Sequence, residues 1–148
     1  MLKFIPVDEQ NIKHNRLLES ISSTTQYLGD ITKYRFNHNP NHIYGNDFIV
    51  CRDDELIGYL GVTNKVDTKK GSIVSIYYAI DSKFYGNGYG KNIVDTVCIA
   101  LSTAKDIDYV IANVDNSNEN GIRTIEKCNF NKLNIYDDET QYISRKLR

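Results

Sequence analysis

The sequence predicts an α/β domain with a mixed sheet, and three stretches carry that expectation. Residues 73–80 form a strand-like run, Ile73-Val74-Ser75-Ile76-Tyr77-Tyr78-Ala79-Ile80, rich in β-branched and aromatic residues. Past Gly86-Asn87-Gly88-Tyr89-Gly90 the period changes. Tyr89, Ile93, Val97 and Leu101 recur every four residues, with Val94, Cys98 and Ala104 widening the stripe, as on the buried face of a helix. Residues 109–114 then give a compact apolar strand suited to a buried position.

The remaining elements follow in chain order. Residues 2–7 read as a first strand, closed by Pro6. Asp8 is placed to cap a helix whose apolar face is Ile12, Leu17, Leu18 and Ile21. A second helical or irregular piece covers residues 26–36, and residues 37–46 read as loop from their Pro, Gly and Asn. His38 and His42 are four apart, but Pro40 between them argues against a helix. No carboxylate or Cys accompanies them, so they are read as solvated loop residues and no metal site is expected. Residues 48–52 and 55–62 predict a hairpin through Asp53-Asp54, its second strand loosened by Gly58 and Gly61. Residues 66–71 read as a polar, lysine-bearing turn. Asn116 followed by Glu119 is capping-box-like and opens a helix on which Ile122 and Ile125 face inward. Residues 130–136 and 140–147 predict a last hairpin around Asp137-Asp138-Glu139.

Composition bounds the function. The chain has 148 residues, enough to bury one real core and too few for two ordinary domains, so residues 1–148 are expected to form one domain. A net charge of −1 gives no reason to expect nucleic acid or an acidic membrane as partner. No long apolar run, signal-peptide pattern or lipidation motif occurs, and a cytoplasmic location is expected. Cys51, Cys98 and Cys128 are odd in number and widely spaced, so they read as small buried hydrophobes with reduced thiols.

Strand, glycine loop and helix make the physical recipe for an anion site. Glycines let a ligand approach the backbone, and the unpaired N–H groups of the first helical turn meet it at the positive end of the dipole. The loop fits neither common nucleotide motif. A P-loop needs Ser or Thr after its Lys, whereas Lys91 precedes Asn92. A dinucleotide fingerprint needs a different glycine spacing from Gly86, Gly88 and Gly90, and an earlier place in the chain.

Two ordered segments resemble the GNAT superfamily of N-acyltransferases. Tyr85-Gly86-Asn87-Gly88-Tyr89-Gly90 is similar to its acyl-CoA loop, Gly88 and Gly90 matching the two loop glycines, with Tyr85 where Gln or Arg is usual. Asn118, Arg123, Glu126, Lys127 and Phe130 match its downstream helix segment. There Gly121 replaces Ser, and Asn129 replaces a Gly read as a left-handed helix terminator, a role Asn also fills. The resemblance implies a mostly antiparallel central sheet flanked by helices, with a splayed pair of central strands. It implies acetyl-CoA as co-substrate and a primary amine as acceptor, in a small molecule or at a protein N-terminus. The pyrophosphate would lie on residues 86–91, so Tyr85, Gly86, Asn87, Gly88, Tyr89, Gly90 and Lys91 are the expected cofactor loop. The pantetheine arm would pair with main chain near Tyr78 and Ile80, and Asn118 would bond the arm or its thiol end.

The implied reaction is direct attack of the amine on the thioester, with the backbone N–H of Ile80 as candidate oxyanion donor. Many members carry a general-acid Tyr where this chain has Ile125. The branch that acetylates ribosomal-protein N-terminal alanines also tends to lack it, and Tyr77-Tyr78-Ala79-Ile80-Asp81 with Gly88-Tyr89 is similar to that branch. Its frequent acidic residue corresponds to Ser75, so no clear general base remains; Tyr78 is the candidate catalytic side chain, with Asn113 and Tyr142 behind it. A sensor that binds acyl-CoA without turnover is the alternative. The edge strands of such a fold leave a homodimer open.

Overall fold

The computed structural model describes residues 2–6 and 42–147. The expected helices between residues 8 and 36, the cap at Asp8 and His38 therefore lie outside the described residues. The strands are β1 (Lys3–Pro6), β2 (Asn46–Arg52), β3 (Glu55–Val62), β4 (Val66–Thr68), β5 (Gly71–Ile80), β6 (Tyr109–Asp115), β7 (Asn131–Ile135) and β8 (Glu139–Ile143). Among the described residues there are two α-helices, α1 (Tyr89–Ala104) and α2 (Glu119–Lys127). The sheet runs β1-β2-β3-β5-β6-β8-β7, with β4 pairing β5 off this path. Among the described residues the central β5–β6 pair is parallel, and β1–β2, β2–β3, β4–β5, β6–β8 and β7–β8 are antiparallel. This is the α/β, mostly antiparallel architecture that the resemblance implies.

The described residues divide into two compact units. One holds those up to Val62 together with Tyr77–Tyr89. Its β2–β3 hairpin turns at Asp53, which adopts φ 54°, a left-handed conformation that short Asp and Asn side chains tolerate. Alternation along the strands sends Ile49, Tyr59 and Ala79 to one face as a buried cluster, with Ile5, Cys51, Leu56 and Tyr77 packed against it. Phe4 and Phe48 have the opposite parity and meet edge to face, 6.5 Å between ring centres. Gly58 explains one of the two strand glycines. A Cβ there would collide with the Ala79 carbonyl, so its absence lets β3 close onto the end of β5. At that end Asp81 N donates to Ile57 O at 2.9 Å.

The other unit holds Thr63–Ile76 and the described residues from Gly90 on. Here residues 66–71 are more than the expected turn. Val66, Asp67 and Thr68 pair with Ile73, Ser72 and Gly71, so β4 is a short strand and only Lys69-Lys70 turns. Thr68 Oγ1 donates to Gly71 O at 2.7 Å and accepts from Lys70 N at 3.2 Å, closing the hairpin locally. The helix α1 buries Ile93, Val94, Val97 and Leu101 from the expected stripe, while Tyr89 and Cys98 are half-buried and Ala104 at its end is exposed. The β5–β6 pair runs from Ile73↔Tyr109 to Ile76↔Ala112 and stops there. The segment's cap also differs from expectation. Asn118, not Asn116, caps α2, its Oδ1 accepting from Gly121 N at 2.9 Å. Asn116 is taken up elsewhere, donating to Tyr136 O at 2.9 Å and accepting from Thr140 Oγ1 at 2.7 Å. Asn129 ends the helix region with φ 66°, the left-handed role expected of it. Ile125 is fully buried, whereas Ile122 is only half-buried.

Cys51, Cys98 and Cys128 are free thiols, each half-buried rather than buried. Burial pushes Cys98 and Cys128 up to about 12, with Asp95 adding to both, and raises Cys51 as well. No helix among the described residues is long and apolar enough to cross a membrane.

Candidate functional site

The turn after β5 is built by short-range bonds. Asp81 caps a single 3-10 turn, Ser82–Phe84, accepting from Lys83 N through its side chain and from Phe84 N through its carbonyl. Asn87 Nδ2 donates to Phe84 O at 3.0 Å and ties the loop back to the turn. Gly86 and Gly88 then take φ 83° and 77°, a region closed to most side chains. Nothing lies within 4 Å of a Cβ built on either, so the space over the loop is open. Tyr89 opens α1, whose first turn carries no acidic residue to occupy its free amides. Left-handed glycines, open space and a bare helix start form a cradle that fits a phosphate group.

The flanking side chains are placed as follows. Tyr85 stands exposed beside the cradle. Lys91 does not stand over the loop as a lone charge. Its Nζ pairs with Asp95 at 2.5 Å one turn along, and that carboxylate raises the lysine's pKa. Tyr89 packs edge-on to Phe84, 6.1 Å between ring centres, and accepts from Arg52 Nη1 at 2.7 Å. Arg52 had no signal in the sequence, since only the folded hairpin brings the end of β2 to this tyrosine.

Tyr78 and Ile80 lie half-buried on β5, and the Tyr78 hydroxyl oxygen is shielded from solvent. Asn118 uses Oδ1 for its cap, which leaves its Nδ2 donors outside that bond. Asn113 is the first β6 residue past the last β5 pair, and its buried Oδ1 has no hydrogen-bond partner among the described residues. Tyr142 is buried on β8, its phenol pushed up by burial and then by Glu126, as befits a core side chain. Among the described residues no three His, Cys, Asp or Glu gather where they could hold a metal ion.

One buried acid escaped the sequence reading. Asp47 on β2 is 7% exposed and accepts from the Tyr59 hydroxyl at 2.5 Å. Burial pushes its carboxyl up to about 6 against the lowering effect of that bond. Parity could have found it, because Asp47 has the alternation of Ile49 and Cys51 and so points inward.

The profile of the acetyltransferase (GNAT) domain matches residues 5–131. The chain belongs to the GNAT family. Solved GNAT folds superpose on two thirds to nearly all of it. A GNAT acetyltransferase from Streptococcus pneumoniae aligns over 97% of this chain and 98% of its own, with a TM-score of 0.73 and 12% identity. The aminoglycoside acetyltransferase AAC(6')-Ib, solved with coenzyme A, aligns over 98% of this chain and 95% of its own, at TM-score 0.73 and 15% identity. The ribosomal-protein-S5-alanine acetyltransferase from Vibrio fischeri covers 68% of this chain and 61% of its own, at TM-score 0.59 and 18% identity. No curated protein sequence matches the chain. These identities speak for the fold of this GNAT chain, not for its acceptor.

Proposed function

We propose that this GNAT chain is one acyltransferase domain that passes the acetyl group of acetyl-CoA to a primary amine in a ternary complex. The cradle at Gly86 and Gly88 carries the reading, because two left-handed glycines under open space leave successive amides for a pyrophosphate. Tyr85, Asn87, Tyr89, Gly90 and Lys91 complete the loop, and Asn118 Nδ2 offers a donor to the pantetheine arm. Relatives support the co-substrate: AAC(6')-Ib has been solved with coenzyme A and with acetyl-CoA.

In the reaction the amine nitrogen bonds to the thioester carbon. The carbonyl oxygen gathers charge, for which the Ile80 N–H is the proposed donor. The C–S bond then breaks, the nitrogen gives up its proton, and the sulfur leaves as the thiol. We assign Tyr78 to deliver that proton. Thiol release from acetyl-CoA, measured across a panel of amines that includes aminoglycosides, polyamines and peptides with free N-termini, tests the reading. Release with at least one amine supports it, and no release with any amine favours the second reading. That reading is an acyl-CoA sensor, and it draws on Ile125, a fully buried apolar residue where many members place their acid.

A further inference from the structure

The cradle at Gly86 and Gly88 offers backbone amides, whereas a cofactor with several phosphates also asks for a cation. The loop's own side chains do not hold one free. Tyr85 brings a phenol, and the Lys91 ammonium is committed to Asp95. Lys83 Nζ lies over the Phe84 ring, 5.4 Å from its centre. The cation comes instead from another part of the chain, the end of β2.

Strand pairing brings it there. Asp81 N donates to Ile57 O at 2.9 Å, so β3 begins where β5 ends and the β2–β3 turn sits beside the loop. Arg52 is the last β2 residue before that turn, in register with Glu55. Its Nη1 donates to the Tyr89 hydroxyl at 2.7 Å, and Tyr89 directly follows Gly88. Phe84 packs edge-on against the same phenol and steadies it. The exposed guanidinium is thus held one phenol's length from the cradle backbone. The bond to Tyr89 leaves its other N–H donors for a ligand. Among the described residues no carboxylate forms an ion pair with it, Asp53 and Glu55 included. All these groups belong to the first compact unit. Coenzyme A carries phosphate at two places, the pyrophosphate and the ribose 3'-phosphate, with the sugar between them. With the pyrophosphate on the loop amides, a guanidinium at this remove meets the second group, whose oxygens match its fork.

We propose that Arg52 binds the 3'-phosphate of acetyl-CoA, steadied by Tyr89, and so selects the 3'-phosphorylated cofactor over its dephospho form. The assignment rests on the acetyl-CoA reading and adds to it a residue that sets cofactor specificity.

The test is calorimetry of the whole chain with coenzyme A and with 3'-dephospho-coenzyme A. The parent should bind coenzyme A about 10- to 100-fold more tightly than the dephospho form. Arg52→Gln should lose that margin, binding coenzyme A more weakly by the same factor and dephospho-coenzyme A as the parent does. Tyr89→Phe keeps the ring and removes the acceptor that steadies Arg52, so it should lose part of the margin. The double variant should then match Arg52→Gln. An exposed ionic contact is screened by salt, so added salt should shrink the margin in the parent and leave Arg52→Gln unmoved. Equal affinity of the parent for the two cofactors overturns the assignment, as does a margin that survives in Arg52→Gln. A loss in Arg52→Gln that is equally large for both cofactors overturns it too. Each of these leaves the transferase reading standing, whereas a parent that binds no coenzyme A sinks both.

Discussion

The Tyr59 hydroxyl donates to Asp47 Oδ1 at 2.5 Å inside the β2–β3 hairpin, and this buried acid makes the stability of the fold depend on pH. Burial outweighs it, lifting the carboxyl from 3.8 to about 6. A raised carboxyl pKa means that the folded chain prefers the protonated form. The stabilisation is complete below the unfolded value and is lost as pH rises through the folded one. Two pKa units correspond to about 3 kcal/mol. Asp47→Asn does not titrate, so urea melts at pH 4 and pH 8 should show the variant gaining up to about 3 kcal/mol on the parent between them. An identical gap at both pH values would contradict the buried carboxyl.

Gly88 has φ 77° with open space around its missing Cβ. Asn tolerates that conformation and Val does not. Gly88→Asn should therefore fold like the parent yet place a side chain over the amides, while Gly88→Val adds backbone strain of about 1–2 kcal/mol. Both should lose at least tenfold in acetyl-CoA affinity by calorimetry. Binding as tight as the parent's in Gly88→Asn would remove the loop from the site.

Asn118 has an observed cap and a proposed ligand contact, and substitution separates them. Its Oδ1 caps α2 through Gly121 N, and its Nδ2 is the donor assigned to the pantetheine arm. Asn118→Ala should cost about 1 kcal/mol of stability and weaken acetyl-CoA binding. Asn118→Ser keeps a capping oxygen without the amide donor, so its melting temperature should match the parent while its affinity matches Asn118→Ala. Parent-like affinity in Asn118→Ser would reduce the residue to its cap.

Tyr78→Phe keeps the ring and deletes the shielded hydroxyl. With Tyr78 as proton donor, turnover should drop at least tenfold at unchanged acetyl-CoA affinity, and the alkaline limb of the rate profile should flatten. Unchanged turnover would pass the role to Asn113, whose Oδ1 is buried just past the last β5–β6 pair, or to solvent.

The readable parts of this chain are those whose signal is local. The run from Ile73 to Leu101 showed strand, loop and helix because period and glycine spacing are properties of neighbours in sequence, and Asn129 showed its turn for the same reason. Three features needed partners that sequence does not display. β4 was hidden because three residues beside two lysines have no period of their own; their pairing with Gly71–Ile73 makes them a strand. Asn116 looked like a cap until the turn after β7 offered its carbonyls. Asp47 carried the parity of a buried residue, but an acid is assigned to solvent by type until a phenol such as Tyr59 is seen to cover it.

The three half-buried thiols make the chain its own blank in the assays above. Disulfide reagents react with thiolate, not thiol. Held near 12, Cys98 and Cys128 are ionised to roughly one part in 100,000 at neutral pH, and Cys51 is raised in the same direction. A chromogenic reagent should therefore meet a flat, slow baseline from the protein, so that colour developing within seconds comes from coenzyme A. Purified material should also keep without added reductant, which would otherwise consume the reagent that reads the product.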